Sequence, residues 1–572
     1  MIAIVWFSLL GYRDLIDPDE GRYAEIPREM ISSGDWVTPR LNGFKYFEKP
    51  VLQYWMTAIS FELFGQNNTA ARLWPALIGF LGALFTGFVG WRLYGKASGF
   101  YAFIITLTSL LYTAMAHILS LDITVSVFLT IAVGCFTLAQ SQRENIEAAD
   151  NHNHNQQPDQ KKYLRNWMLI GWGALAAATL TKGLIGLFLP AAAVVVYSLW
   201  QRDWALWKHL HLGKGLILFL ALVSPWFIAV ANKNPEFLDF FFIHEHFDRY
   251  LTDEHSRSGP IWYFIVIVFV GSLPWLGSML RTIVNPDFSW RPTSYNHFNA
   301  ERFLWSYAVF IFVFFSLSNS KLASYVLPIL PILSLLAAKR IAAVGLSGFD
   351  KWCMLGLGLA LLVLTWQIER LASERITPEM YTNYKPWIFA AAIAMLAAAF
   401  FMFKTKNTAP NKQQMHIVTS SLMVLIAYQS LSWGYQSLTG ARSYHLLAEA
   451  IKEKAPNYSE IFCVDSYYPH SLSFYLNSKL KLVQYKGELE MGITQEPQLW
   501  IESTHDFLKL WENEKQPVAV MSHRVYEIYK SDVKLPMQTI FQGARLVAVT
   551  KPKLSLLSSK EEAIREDIKG TP

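Results

Sequence analysis

Long apolar runs, broken at intervals by short basic or mixed polar stretches, set the pattern of this chain. A run of about 20 apolar residues crosses the hydrocarbon core of a bilayer as one helix. Helical spans are therefore expected at roughly 70–91, 98–116, 119–140, 167–182, 183–200, 215–231, 261–280, 303–318, 322–338, 352–368, 387–403 and 416–436. Met1 to Leu10 is short for a span, and it lacks the basic start and small-residue cleavage site of a signal peptide. It reads as a shortened first span, with room for a true start upstream. The total is about thirteen spans.

The pattern changes twice. Residues 17–50, DPDEGRYAEIPREMISSGDWVTPRLNGFKYFEKP, mix acids, bases and aromatics. After the last span, strand-like runs (IFCVDSYY, KLKLVQYK, PVAVMSH, RLVAVTK) alternate with helix-like ones (YHLLAEAIKEKA, HDFLKLWENE), as in a small α/β domain. The expected organisation is a mostly α, polytopic membrane domain over 1–438, with outward loops at 13–68 and 232–260. An α/β domain on the outer side, over 439–572, follows it.

Loop charge supplies the orientation. Arg92 and Lys96 follow the second span; Arg143, Lys161, Lys162 and Arg165 follow the fourth. Arg202, Lys208 and Lys214 follow the sixth, and Arg281, Arg291 and Arg302 the eighth. Lys339, Arg340 and Lys351 follow the tenth, and Lys404, Lys406 and Lys412 the twelfth. Every second loop is basic, which places those loops in the cytoplasm and the 17–50 stretch outside.

Composition agrees with this class. The 572 residues are 52% hydrophobic, 15% aromatic and 16% charged, against about 25% charged in soluble proteins. A net charge of +6 is small for this length, and no nucleic-acid motif is present, so no nucleic-acid partner is expected. Cys135 and Cys353 lie in spans and Cys463 in a strand-like run, which gives no disulfide framework and no CxxC metal site. The polar 141–166 linker carries His152 and His154, but its composition is that of a solvated loop.

Within 17–50, Asp17-Pro18-Asp19-Glu20 reads as a helix start, with Asp17 as N-cap, Pro18 at the first helical position and Glu20 closing a capping box. Asp19, Arg22 and Tyr23 then share a face. Pro27 is expected to end or kink this helix, and Gly34 to end the short one after it. Tyr46, Glu48 and Lys49 sit just before Pro50. Asp19 and Glu20 also lie where a helix dipole favours carboxylates for purely structural reasons.

Other outward clusters are Asp122 in SLDIT, Lys182 in TLTKG, the FFIHEHFDRYLTDEHSRSGP loop, and SNSKLASYVLPILP with Lys321 and Tyr325. Ionisable groups at a membrane boundary are costly unless paired or solvated. Lys182 and Lys321 also fit plain snorkelling at helix ends. His244, Glu245 and His246 lack the i, i+4 spacing of a helical zinc site. Together the clusters suit a lipid-phosphate substrate, whose phosphate needs interfacial cations. Arg22, Lys49, Lys182, Arg249 and Lys321 are the available cations, and Asp19 and Asp122 the acids able to orient or deprotonate an acceptor.

In these motifs, taken in order, the chain resembles the lipid A aminoarabinose transferases, which share the GT-C class of membrane glycosyltransferases with the protein O-mannosyltransferases. The resemblance covers roughly the whole membrane part and implies transfer of a sugar, best matched as 4-amino-4-deoxy-L-arabinose, from polyprenyl (undecaprenyl) phosphate. The acceptor it implies is lipid A, or another periplasmic acceptor, at the outer face of the bacterial inner membrane, among membrane lipids. It makes Asp19 the candidate catalytic carboxylate, with Asp122 as a second acid. Arg22, Lys49, Lys182 and Arg249 match basic positions associated with the lipid phosphate. Tyr46 and Glu48 match the RYFEKP-type motif, here KYFEKP, and Lys321 and Tyr325 complete the candidate binding set. His244 stands five residues before Arg249, and a divalent metal near Glu48 and His244 is compatible with the pattern. The family does not clearly require one, and no metal or other cofactor is assigned.

Three competitors are weighed against this reading. A related enzyme would move another sugar, such as mannose, to protein Ser/Thr or a surface glycan. A transporter of the lipid-linked sugar would carry charges within its spans and an internal repeat, and neither is seen. A membrane anchor for a partner-binding domain leaves the charged outward loops unexplained.

Overall fold

The computed structural model describes residues 1–149, 157–243, 259–292, 295–405, 409–464 and 467–552. The chain opens with α1 (Ile2–Phe7), then α2 (Asp19–Ser33), a two-stranded hairpin of β1 (Arg40–Leu41) and β2 (Phe44–Lys45), and α3 (Leu52–Phe64). Next come α4 (Asn68–Tyr94), α5 (Lys96–Thr108), α6 (Leu110–Ala116), α7 (Asp122–Ala149), α8 (Gln157–Lys182), α9 (Ile185–Gln201) and α10 (Leu212–Lys233). Helices continue to Gly434, and the α/β domain follows.

Among the described residues eight helices are long and apolar enough to cross a membrane, or nine if the α5–α6 pair, bent by 64°, is one span. The expected thirteen are not all single long helices. The 261–280 run folds as two nine-residue helices, Tyr263–Gly271 and Leu276–Val284. Likewise α1 has six residues and α9 seventeen. Hydropathy measures how apolar a run is; it does not register a bend, which tertiary partners satisfy when they take up the freed backbone groups. At the α5–α6 break, for instance, Leu110 donates its N–H to the Leu273 carbonyl at 3.0 Å.

The basic loops gather at one end of the bundle. Arg143 donates to both oxygens of Asp203, at 3.2 and 3.0 Å, and to the Asn296 carbonyl at 2.9 Å. Arg92 lies over the Tyr163 ring, Lys339 over Tyr94, and Arg340 bonds Asp287 at 2.8 Å. These contacts join the loops after the second, fourth, sixth, eighth and tenth expected spans. Lys406 lies outside the described residues.

The 17–50 stretch and the α/β domain meet at the opposite end. The domain's six-stranded sheet has the order β5 (Trp500–Ile501), β4 (Lys481–Val483), β3 (Ile461–Val464), β6 (Val518–Ser522), β8 (Leu546–Thr550), β7 (Gln538–Gln542). The first four strands are parallel, and β8 runs antiparallel to both of its neighbours, β6 and β7. The four strand-like runs of the sequence became β3, β4, β6 and β8. The other two went unread because β5 is two residues long and β7 is a largely exposed edge without apolar alternation.

The two parts are bolted together through the first outward loop. Asn42 donates to the Leu480 carbonyl at 2.8 Å and accepts from the Leu480 N–H at 2.7 Å. Arg40 forks onto Glu496 at 2.9–3.0 Å, and Arg28 reaches Asn477 at 2.9 Å. Gly21 allows α2 to press close: a Cβ there would lie 2.5 Å from the Ser471 nitrogen.

Candidate active site

Helix α2 differs from its expected form. Its N-cap is Pro18, with no side-chain cap, and it runs unbroken through Pro27 to Ser33. Gly34 ends it in the left-handed region, φ +70°, as glycine allows at little cost. Asp17 is not the cap, because its Oδ1 accepts the Ser471 N–H at 2.9 Å. Glu20 does not close a capping box either. Its carboxylate is buried, taken by Arg13 and Arg72 and by the N–H groups of Ile16 and Leu119. Tertiary partners for these acids outweigh the local cap, which contributes only about 1 kcal/mol.

One residue away, the Asp19 side chain points out and is 61% exposed. Successive positions on a helix diverge by about 100°, so of two adjacent acids one joins the core and the other is exposed. Arg22, one turn on, is 3.7 Å from Asp19 and 2.5 Å from Glu488 of the α/β domain. The carboxylates of Glu488 and Glu48 and the neutral Tyr46 phenol surround its buried guanidinium, and its Nε is buried without a hydrogen-bond partner among the described residues. Tyr46 is fully buried beside it, and burial raises its phenol far above the usual range. Lys49 donates to the Glu48 carbonyl at 2.6 Å, with the two side chains 4.0 Å apart.

A second cluster forms where α7 begins and α8 ends. Lys182 is ion-paired with Asp122, and its ammonium sits 5.1 Å from the centroid of the Tyr325 ring. Tyr325 comes from the short turn Ala323–Val326. The clusters adjoin through Tyr23 of α2, which stacks on Tyr54 of α3 at 5.9 Å. Burial first, then Tyr54, raises the Tyr23 phenol, and both Asp19 and Asp122 act on it. Asp19, Arg22, Tyr46, Glu48 and Lys49 on one side thus neighbour Asp122, Lys182 and Tyr325 on the other.

Lys321 is placed differently. Its buried ammonium donates to the carbonyls of Phe315, Ser316 and Ser318, at 3.1, 2.7 and 2.6 Å. It closes the C-terminal end of the helix Ala300–Leu317, where unpaired carbonyls and the helix dipole favour a cation. His244 and Arg249 lie outside the described residues, as do Glu245, His246, His152 and His154. Among the described residues no three His, Cys, Asp or Glu side chains converge as a metal site.

Sequence reasoning missed Glu488 and His470, which approach Arg22 from the α/β domain. They lie more than 400 residues from the first outward loop, in segments with no motif, so no local signal marks them. Tyr23 already stood on the Asp19–Arg22 face in the sequence, and Tyr54 was within reach as a polar aromatic in the apolar helix α3.

Residues 1–241 match the dolichyl-phosphate-mannose-protein mannosyltransferase family, and residues 447–551 match the aminoarabinose transferase C-terminal domain. An undecaprenyl phosphate-alpha-4-amino-4-deoxy-L-arabinose arabinosyl transferase of Erwinia tasmaniensis is 32% identical over 345 residues, 59% of this chain and 57% of that protein. The chain thus spans little more than half the length of that relative. A second such transferase, from Proteus mirabilis, is 30% identical over 424 residues, 71% of this chain and 70% of its own length. The crystal structure of ArnT from Cupriavidus metallidurans bound to undecaprenyl phosphate superposes with a TM-score of 0.84 at 32% identity, covering 97% of both chains.

Proposed function

The chain belongs to the undecaprenyl phosphate-aminoarabinose transferase family of multi-pass membrane glycosyltransferases, and on that premise we propose that it moves 4-amino-4-deoxy-L-arabinose from undecaprenyl phosphate to a phosphate of lipid A. The reaction takes place at the periplasmic face of the bacterial inner membrane. The observation that carries this reading is the pairing of the exposed Asp19 with Arg22 beside the Asp122–Lys182–Tyr325 cluster, on a fold that superposes over 97% of the chain on one holding undecaprenyl phosphate.

An acceptor oxygen attacks the anomeric carbon of the sugar, and undecaprenyl phosphate leaves. A phosphate leaves without taking a proton, but its charge must be met by cations. Arg22, Lys49, Lys182 and Arg249 meet it, and the buried Nε of Arg22 offers a donor to an anion. Asp122 holds Lys182 in place, while Tyr46 and Tyr325 line the approach. Lys321 supports the turn that carries Tyr325. The acceptor phosphate has a second pKa of about 6 and is already ionised near neutral pH, so Asp19 chiefly orients it. Glu48 and His244 complete the binding set.

A second reading has one specific support, the mannosyltransferase family match over residues 1–241. There a related sugar passes to protein Ser/Thr or a surface glycan, and Asp19 acts as a true general base on a neutral hydroxyl. Mass spectrometry of lipid A separates the two, using cells with the gene, without it, and with Asp19→Asn. A pentosamine-sized increment that requires the gene and weakens in the variant supports the lipid A reading. Unchanged lipid A under expressing conditions refutes it and favours the second.

A further inference from the structure

The geometry points to Glu488 of the α/β domain as a positioning residue for the donor phosphate, acting through Arg22 and held in turn by His470 and Asp17. This rests on the proposed reading of Arg22 as a phosphate-binding cation.

The four side chains form a line of alternating charge across the junction of the two domains. Arg22 Nη2 is 2.5 Å from Glu488 Oε2, and His470 donates from Nε2 to Oε1 of the same carboxylate. On its other side, His470 Nδ1 lies 3.7 Å from Asp17 Oδ2. The His470 and Asp17 side chains are 4% and 0% exposed. A planar guanidinium can be turned about its long stem, and a carboxylate bonded to one of its nitrogens fixes that angle. With Nη2 held by Glu488, Nη1 is 3.7 Å from Asp19 and Nε has no hydrogen-bond partner among the described residues. The α/β domain thereby sets where Arg22 presents its remaining donors.

Two further observations separate this role from mere docking. The junction has clamps of its own, the reciprocal Asn42–Leu480 pair and the Arg40–Glu496 fork, so it does not need Glu488 to stay closed. The line is also charge-compensated only while His470 is protonated. The groups facing His470 are Glu488, Arg22 and Asp17, with the Tyr468 ring at 4.6 Å. Burial opposes the imidazolium, but the Glu488 charge and the contacts to Asp17 and Glu488 outweigh it and raise its pKa.

The test uses full-length protein in detergent with undecaprenyl phosphate alone as the probe, read as a concentration-dependent thermal shift, followed by donor KM and kcat. Glu488→Gln is expected to fold, to weaken undecaprenyl phosphate binding and raise donor KM by roughly tenfold, the size of one hydrogen bond to a charged group, and to leave kcat less affected. Glu488→Asp should recover part of the loss, and His470→Asn should move the alkaline limb of kcat/KM. Asn42→Ala, which strikes the junction elsewhere, should lower stability and leave KM alone. Wild-type binding, KM and pH profile in Glu488→Gln would overturn the inference, as would a KM rise in Asn42→Ala matching that of Glu488→Gln. A wild-type chain that binds no undecaprenyl phosphate would overturn the functional reading, and this inference with it.

Discussion

Arg72, near the start of α4, donates from Nε and Nη2 to the two carboxylate oxygens of Glu20, at 2.7 and 2.8 Å. Arg13 grips the same carboxylate from the other side, at 2.9 and 3.2 Å. Arg72 also bonds the carbonyls of Leu10, Arg13 and Asp14, so one buried cluster ties α4 to the stretch that leads into α2. Burial opposes the Glu20 anion, but the charges of Arg13 and Arg72 hold its carboxyl down at about 2.

Removing Glu20 therefore leaves two buried guanidinium groups uncompensated. Glu20→Gln is expected to lose about 3–5 kcal/mol of stability, read as a drop in melting temperature and detergent-extracted yield. Because the folded pKa is depressed, the Glu20 contribution is fully present above the unfolded value near 4.5 and is lost as pH falls toward 2. Acid stability of the wild type and the variant should converge in that window.

Asp19 has the opposite surroundings, exposed and 3.7 Å from Arg22. Asp19→Asn should leave the melting temperature within a few degrees of wild type. Transfer to a hydroxyl acceptor should fall by roughly 10²–10⁴-fold, the usual yield of general base catalysis, and transfer to a phosphate acceptor by less. Full activity on both acceptors would remove the carboxylate from the mechanism.

Lys182 and Asp122 act as a pair. Lys182→Met should raise donor KM by roughly ten- to a hundredfold through loss of a cation at the phosphate. Asp122→Asn should do less, since the ammonium survives but is no longer held. In a double-mutant cycle on kcat/KM the two changes should couple by about 0.5–3 kcal/mol. Simple additivity would show that Asp122 does not act through Lys182.

Lys321 spends its three donors on carbonyls at a helix end. Lys321→Met should cost about 1–3 kcal/mol of stability by leaving buried acceptors unmade, with a smaller change in donor KM than Lys182→Met. A large KM rise without loss of melting temperature would return Lys321 to the direct phosphate contacts.

The class of this protein was legible in its residues alone. Apolar runs of membrane length and alternate basic loops are one-dimensional signals, because a bilayer acts on each segment separately. The structure brings the basic loops together at one end, as that alternation requires. The motifs around Asp19, Arg22, Tyr46 and Asp122 were legible for a related reason. Ionisable groups beside lipid are costly unless paired or solvated, so a cluster of acids and bases on the loops that lack the plain basic pattern stands out.

The tertiary structure alone decided what each charge does. Asp19 and Glu20 are neighbours in sequence, and the pattern gave both a place in a helix start. The fold buries one between two arginines and leaves the other exposed, since a helical turn sends adjacent side chains to different faces. Lys182 and Lys321 likewise looked alike as lysines at helix ends. One pairs with an aspartate beside a tyrosine ring, and the other closes a helix. Glu488 carries no motif and reaches Arg22 only because the α/β domain docks on α2. Hydropathy and spacing register where a residue lies along the chain, whereas a charge's role depends on its partners within a few ångströms. Those partners are brought together by long-range packing, which no local pattern encodes.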